Sequence, residues 1–274
     1  MKTLPFIKMH GLGNDYVYID CFRSDTAQKI AEADLPALAR RVSDRHSGIG
    51  SDGLVLILPS EVADVRMRIF NADGSEAEMC GNAIRCVGKY LYENGICIKL
   101  RLSIATKAGI RSLRLQVEDD VVQQVTVNMG APSVQPDTLM KGSVPFGFSS
   151  VNMGNPHAVF FRQAIEQIEE IMHYGPLVSA HPHFPEGTNV ELAYVRNIHE
   201  IDVRVWERGS GVTLACGTGA CAVAVAAMRQ GLAERNVVVH LPGGDLDIYR
   251  DIDGTVFMTG PATEVFRGEF QLND

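Results

Sequence analysis

Two similar cysteine motifs constrain this sequence more than any other feature. They read CGNAIRC at residues 80–86 and CGTGAC at residues 216–221, and their first cysteines lie 136 positions apart in a chain of 274 residues. The same offset aligns further residues outside the motifs, namely Arg68 with Arg204, Phe70 with Trp206, Gly81 with Gly217 and Gly95 with Gly231. A slightly larger offset of 141 aligns the GND of residues 13–15 with the GNP of residues 154–156. A fixed internal offset indicates a duplicated unit.

The duplication predicts two homologous domains. We expect the first to comprise residues 1–119 together with 263–274 and to carry Cys80, and the second to comprise residues 120–262 and to carry Cys216. Short alternating segments read as strands, because their apolar residues recur every second position. They are residues 16–22, 53–60, 65–72 and 125–130. Turn residues such as Gly, Asn, Asp and Pro separate these segments.

Helices are fewer, and the two cysteine motifs open the most apolar of them. We predict helices over residues 35–44, 83–94, 164–173 and 219–230. Gly95 and Gly231 follow the second and fourth, and glycine is the favoured residue just past a helix end. The run ACAVAVAAM at residues 220–228 is apolar on all sides, which predicts burial on every side. Strands wrapped around one buried helix, twice over, are the expected architecture.

Composition and charge narrow the classes of partner. The formal net charge is −8, and no cluster of Lys and Arg of the kind that binds nucleic acid or anionic membranes is present. The longest apolar run is shorter than the roughly 20 residues that cross a bilayer. No export signal opens the sequence, so the six cysteines are expected to be free thiols in the cytoplasm. Their spacing differs from that of zinc sites, and we predict no metal.

A cysteine at the start of a helix is placed to do acid–base chemistry. The first N–H groups of a helix have no partner within it, and the helix dipole favours negative charge there. A thiolate or a substrate carboxylate is stabilised at such a point. For either cysteine alone, the alternative is a small buried apolar residue. Cys21, Cys86, Cys97 and Cys221 are expected to be packing residues of that kind.

Six motifs resemble those of the diaminopimelate epimerase family. They are KMHGLGNDY at residues 8–16, RIFNADGSEAEMCGNAIRC at 68–86, MGNPHAV at 153–159, WERGSGVTLACGTGAC at 206–221, LPGG at 241–244 and MTGPA at 258–262. They occur in order along nearly the whole chain. The resemblance implies an α+β fold of two pseudo-symmetric domains, each a β-barrel-like, mostly antiparallel sheet around a central helix, with the active site in the inter-domain cleft.

The resemblance also implies the reaction, which converts L,L-diaminopimelate into meso-diaminopimelate in lysine and peptidoglycan-precursor biosynthesis. No cofactor takes part in that family. One of Cys80 and Cys216 removes the α-proton and the other donates a proton from the opposite side, while His157 and Glu207 support the cysteines. The substrate-binding residues carried over from the family are Asn14, Asn71, Gly81, Asn82, Asn155, Asn189, Glu207, Arg208, Gly217 and Thr218.

Alternatives remain for several of these assignments. An asparagine in a glycine-rich stretch can serve a turn, and a single histidine can be structural. At Gly53 some family members carry a substrate-contacting glutamine that this chain lacks. A proline or hydroxyproline racemase shares the two-thiol chemistry, and a non-catalytic amino-acid-binding protein is an alternative of a different class. A small diamino diacid is the expected partner, and a homodimer is left open.

Overall fold

The computed structural model describes residues 2–31, 33–141 and 144–272. The chain divides into two compact units, one of Met1–Val127 with Pro261–Asp274 and the other of Asn128–Gly260. Along the described residues, no helix combines the length and the apolar composition needed to cross a bilayer.

The first unit is a mixed sheet built mainly from antiparallel neighbours. Its strands are β1 (Lys2–Gly11), β2 (Asn14–Asp20), β3 (Gly53–Leu58), β4 (Val65–Asn71), β5 (Glu76–Ala77), β6 (Arg101–Thr106), β7 (Gly109–Glu118), β8 (Val121–Gly130, whose last three residues belong to the second unit) and β18 (Thr263–Leu272). They pair in the order β18–β1–β2–β3–β4–β6–β7–β8, and the short β5 also pairs with β4. Only β2–β3 and β4–β6 in this series are parallel.

The second unit repeats this pattern. Its strands are β9 (Ser133–Lys141), β10 (Val144–Asn152), β11 (Pro156–Arg162), β12 (Asn189–Asn197), β13 (Glu200–Glu207), β14 (Gly211–Val212), β15 (Asn236–Leu241), β16 (Gly244–Arg250) and β17 (Val256–Gly260). The pairing order is β9–β10–β11–β12–β13–β15–β16–β17, with β14 added to β13. The parallel pairs, β11–β12 and β13–β15, stand third and fifth in the series, as in the first unit. The duplication predicted from the sequence is therefore confirmed.

One long buried helix in each unit begins at a cysteine motif. These are α3 (Gly81–Glu93) and α5 (Gly217–Arg229), each of 13 residues. Helix α5 contacts β9 to β13 and β15 to β17, so strands surround it on several sides. Both helices begin two residues earlier than predicted, because the cysteines themselves cap them. Gly95 and Gly231 follow their ends with φ of 68° and 71°, a backbone conformation that favours glycine.

In each unit the remaining helices connect the first pair of parallel strands in the series. In the first unit α1 (Ser24–Ala31) and α2 (Leu35–Ser43) connect β2 to β3, and residues of both join strand residues in one apolar core. In the second unit a 3₁₀ helix (Ile165–Glu170) and α4 (Ile171–Ser179) connect β11 to β12. The sequence predicted one α-helix over residues 164–173, which was wrong in type for its first part, because Ile165–Glu170 is a 3₁₀ helix. Its isoleucines recur every third residue, which is the period of a 3₁₀ helix.

Candidate active site

Cys80 lies at the N-cap position of α3, with extended backbone angles (φ −135°, ψ 121°). Its sulfur accepts the backbone N–H of Ala83 at 3.5 Å, and its thiol donates to Asn14 Oδ1, also at 3.5 Å. Asn82 donates its side-chain amide to the same oxygen at 3.2 Å. The structure therefore brings three predicted site residues together.

A charged network fixes the orientation of Asn14. Its Nδ2 donates to Asp52 Oδ2 at 2.7 Å, and Arg45 bridges Asp52 and Asp15 at 2.9 and 2.7 Å. Because Nδ2 is held by a carboxylate, Oδ1 is the atom presented to Cys80. Burial alone would raise the pKa of Asp15, but the hydrogen bonds and charges of Arg45 and Lys8 outweigh it and lower that pKa. The pKa of Asp52 is raised, first by burial and then by the charge of Asp15.

Asn71 and Gly81 lie at element ends in the same unit. Asn71 ends β4, and its side-chain amide donates to Ser75 Oγ at 3.0 Å, which is a turn contact. Gly81 is the first residue of α3 and is buried. Gly53 pairs with Asn71 across β3 and β4. A Cβ atom at Gly53 would lie 2.1 Å from the backbone oxygen of Phe70, so a glutamine there requires a different backbone.

Cys216 occupies the equivalent position in the second unit, at the N-cap of α5 (φ −118°, ψ 109°). Its sulfur accepts the backbone N–H of Gly219 at 3.4 Å and lies 3.5 Å from Thr218 Oγ1. The residue is only 4% exposed. Burial raises the pKa of the Cys216 thiol well above its ordinary value, and the negative charges of Glu207 and Glu191 raise it further. The thiol therefore resists ionisation.

Glu207 ends β13 and shares a hydrogen bond with the Cys216 thiol. It also accepts the hydroxyl of Thr213 at 2.5 Å. Burial raises the pKa of this carboxyl, and the two hydrogen bonds oppose that change. Glu207 is thus a direct neighbour of the cysteine, in keeping with the supporting role predicted for it.

His157 is almost fully buried and has a partner on each ring nitrogen. Nδ1 lies 2.7 Å from Glu191 Oε1, and Nε2 lies 3.1 Å from Asn155 Oδ1. Asn155 in turn donates to Thr218 Oγ1 at 3.4 Å. A continuous chain of hydrogen bonds therefore runs from Glu191 through His157, Asn155 and Thr218 to Cys216. Gly217, the first residue of α5, is buried beside this chain's end.

The side chain of Asn189 is hydrogen-bonded to the backbone of Arg208. Asn189 accepts the N–H of Arg208 at 2.8 Å and donates to the carbonyl of Pro156 at 3.1 Å. The Arg208 side chain is exposed, and its guanidinium donates to the carbonyl of Glu186 at 3.1 Å. Its guanidinium and the Glu207 carboxylate thus have different protein partners.

Sequence reasoning missed three residues that shape these two groups, namely Glu191, Asp52 and Arg45. Glu191 could have been recognised from the sequence, because it is a charged residue between the apolar residues Val190 and Leu192 of a strand. A fully buried carboxylate at such a position usually has a specific partner. Asp52 and Arg45 follow a helix in a polar connection, where charged residues are ordinary and carry no such signal.

The fold of this chain recurs in solved structures of other proteins. A phenazine biosynthesis protein of the PhzF family from Bacillus anthracis superposes with a TM-score of 0.76 at 18% identity, covering 99% of this chain and all of that one. A hydroxyproline epimerase from Agrobacterium vitis superposes with a TM-score of 0.73 at 15% identity, covering 98% of this chain and 91% of that one. At these identities the likeness concerns the fold alone.

Sequence comparison identifies the family among proteins of this fold. The diaminopimelate epimerase family model matches residues 6–135 and 149–265. A curated diaminopimelate epimerase from Acetivibrio thermocellus is 48% identical over 286 aligned positions, which cover 99% of this chain and the whole of that protein. The chain belongs to the diaminopimelate epimerase family, which confirms the resemblance found in its motifs.

Proposed function

We propose that this chain is a cofactor-independent epimerase that converts L,L-diaminopimelate into meso-diaminopimelate, a step of lysine and peptidoglycan-precursor biosynthesis. Family membership over nearly the whole chain supports the substrate. One structural observation carries the chemistry: each repeated unit begins its buried helix with a cysteine whose sulfur accepts a helix N–H group. Two equivalent thiols are what inversion at one carbon requires.

In the proposed reaction the two thiols act on opposite faces of the substrate's α-carbon. One thiolate takes the α-proton and becomes a thiol, and the other thiol gives its proton to the opposite face and becomes a thiolate. No large motion of the substrate is needed, because each face has its own group. The planar intermediate carries extra negative charge on its carboxylate. The N–H groups at the starts of α3 and α5 are suited to stabilise that charge.

The two thiols are proposed to differ before substrate binds. The raised pKa of Cys216 favours its protonated form, so Cys216 holds the proton to be donated. The thiolate needed to begin the reaction is then on Cys80, which on ionising gives up its hydrogen bond to Asn14 Oδ1 and keeps the one from the Ala83 N–H. The pair reverses its protonation with every turnover, and its titration belongs to both groups together.

Recognition of the substrate is proposed to use amides and one guanidinium. Asparagine side chains both donate and accept, so they suit the ammonium and carboxylate groups of an amino acid without adding charge. The proposed set is Asn14, Asn71, Asn82, Asn155, Asn189 and Thr218, with the backbones of Gly81 and Gly217. Arg208 has an exposed guanidinium suited to a carboxylate in a bidentate pair. Glu207 remains a candidate for an ammonium group as well as for Cys216.

Incubation of the purified protein with L,L-diaminopimelate in deuterated water tests the function. We expect solvent deuterium at the α-carbon together with formation of the meso isomer. Deuterium exchange into proline or hydroxyproline, with none into diaminopimelate, would support a racemase of the wider superfamily instead. Binding of diaminopimelate without any exchange would leave only an amino-acid-binding protein.

A cytoplasmic location and a homodimer complete the proposal. All six cysteines are free thiols, which suits a reducing compartment. The homodimer is the commonest symmetric assembly of soluble proteins, and light scattering on the purified chain measures its state directly.

A further inference from the structure

Glu191 is a buried carboxylate to which no role has yet been given. It lies in β12 with no exposed surface. Oε1 is 2.7 Å from His157 Nδ1, and Oε2 has no hydrogen-bond partner among the described residues. Burying a carboxylate is costly unless its charge is compensated or a proton neutralises it. A buried carboxylate with only one oxygen bonded therefore requires an explanation.

The partners of His157 determine where protons lie. Nε2 faces Asn155 Oδ1, an atom that can only accept, so Nε2 must carry a proton. The short contact between Nδ1 and Glu191 needs a second proton, on the ring or on the carboxyl group. In either arrangement the pair is electrically neutral and contains one proton more than a neutral histidine beside a carboxylate. The Glu191 carboxyl group thus determines the protonation of His157.

The first turn of α5 is shaped around Glu191. A Cβ atom at Gly219 would lie 2.9 Å from Glu191 Oε1 and 3.3 Å from the Cys216 sulfur. Glycine at this position therefore leaves room for the carboxyl group beside the cysteine.

The first unit provides a natural comparison. The parallel registers pair Tyr18 with Val55 and Val159 with Glu191, so Val55 is the counterpart of Glu191. Ala83, the third residue of α3, is the counterpart of Gly219. The first unit thus combines Val55 in its strand with Ala83 in its helix. The second combines Glu191 with Gly219. The carboxyl group and the space for it occur together, only on the Cys216 side of the repeat.

We propose that Glu191 is a positioning residue for the reaction, which holds His157 with its Nε2–H directed at Asn155 and thereby orients Thr218 and Cys216. Glu191 acts through His157 and does not need to touch the substrate. A buried carboxylate that holds an imidazole in one tautomer and orientation is a known way to prepare a catalytic group. The inference rests on the proposed function, since it assigns a role in that reaction.

The variant Glu191→Leu tests the proposal, because leucine keeps roughly the size of the side chain but has no polar atom to hold His157 Nδ1. We expect kcat for diaminopimelate epimerisation to fall by about ten- to a hundredfold, the usual effect of losing a partner that orients a functional side chain. KM should change by less than about threefold. With ¹⁵N-labelled histidine, the Nδ1 signal of His157, assigned with a His157→Gln sample, should move, because that nitrogen loses its hydrogen-bond partner.

Asp202→Asn is the matched control. Asp202 is a nearly buried carboxylate on the adjacent strand β13, where it is paired with Arg196. Its change to asparagine should lower stability and leave kcat and the His157 signal unaltered. If Glu191→Leu does not fold, Glu191→Val introduces the residue found at the counterpart position of the first unit, and the same loss of kcat and change of the His157 signal are expected.

The outcomes are distinct. A folded Glu191→Leu protein with kcat within about twofold of the native value, or with an unchanged Nδ1 signal, overturns the inference. An equal loss of kcat in Asp202→Asn also overturns it, because the effect would then be one of general stability. If the native protein does not epimerise diaminopimelate, the proposed function fails, while the histidine signals still decide whether Glu191 and His157 share a proton.

Discussion

The two cysteine sites have nearly the same backbone and very different surroundings. Both cysteines cap a 13-residue buried helix, and their φ and ψ angles agree within about 20°. The thiol of Cys80 donates to the neutral amide of Asn14, whereas Cys216 lies beside the carboxyl groups of Glu207 and Glu191. The helix terminus is common to both sites. The two sites therefore differ in the side chains that the neighbouring strands bring to each sulfur.

The strand registers show where the repeat diverged. Tyr16 and His157 are counterparts at the first position of the parallel pairing in each unit. Asn71 and Glu207, which end β4 and β13, are counterparts at an offset of 136. At these positions the first unit has a phenol and an amide, whereas the second has an imidazole and a carboxyl group. Duplication has thus kept the backbone that presents each sulfur and changed the groups that control its proton.

The largest expected effect comes from replacing one of the two cysteines, so that the two sites no longer both have a thiol. Cys80→Ser and Cys216→Ser should each lower the rate of epimerisation by about a thousandfold or more, since serine is a far weaker acid than cysteine. Formation of meso-diaminopimelate from the L,L isomer in deuterated water measures the loss. Cys221→Ala, a change at a buried cysteine one turn further along α5, should leave the rate within about twofold. Near-normal turnover in either serine variant would remove that thiol from the mechanism.

Glu207→Gln should make the Cys216 site more like the Cys80 site. A negative charge beside a thiol opposes its ionisation and raises its pKa, so removal of the Glu207 charge should lower the pKa of Cys216. Alkylation of Cys216 by iodoacetamide, followed by mass spectrometry between pH 6 and about 10, should then proceed faster at neutral pH than in the native protein. Epimerisation should fall by about a hundredfold, since Glu207 bonds the thiol directly.

Glu200→Gln is the control for that experiment. Glu200 begins the same strand and bonds the side chain of Asn197 at 2.7 Å. Its neutralisation should leave the alkylation of Cys216 and the rate unaltered. Unchanged alkylation in Glu207→Gln would show that burial and Glu191, without Glu207, determine the pKa of Cys216.

At the Cys80 site, Asp52→Ala tests how far the orientation of Asn14 matters. Without the carboxylate, the Asn14 amide loses the acceptor that fixes its Nδ2, and Oδ1 is no longer held towards Cys80. We expect a loss in kcat of about tenfold, the equivalent of one net hydrogen bond. Asp73→Asn, an exposed change in a turn of the same unit, should have no effect on kcat. If the two variants behave alike, the network around Asn14 has only a structural role.

Local patterns predicted the framework of the site. The start and end of α3 and α5 came from a cysteine, small residues and a following glycine, all within one stretch of sequence. The alternating strands β2, β3, β4 and the end of β8 were found in the same way. Motif resemblance supplied the family, and the family model confirmed it.

The surroundings of the cysteines could not be predicted in this way, because they depend on contacts between distant parts of the chain. Asp52 and Asn14 are 38 residues apart, and His157 and Glu191 are 34 residues apart. A local pattern gives the type of each element but not which polar side chains meet once the elements pack. Helix α1 was missed for a different reason, since its eight residues, SDTAQKIA, contain too few apolar positions to show a helical period.

The smallest effect concerns stability, at a glycine where the two units differ. Gly53 in β3 corresponds to Asn189 in β12, so the first unit tolerates no side chain where the second has an asparagine. Gly53→Ala should lower the free energy of unfolding by about 1–3 kcal/mol, the cost of forcing an atom into a packed position. Gly147→Ala in β10, where an added Cβ meets no atom within 4 Å, should change it by less than about 1 kcal/mol. Urea titrations of both variants measure the difference. Equal stability would mean that β3 and β4 separate at little cost, so that a larger residue at position 53 could reach the site without rebuilding the sheet.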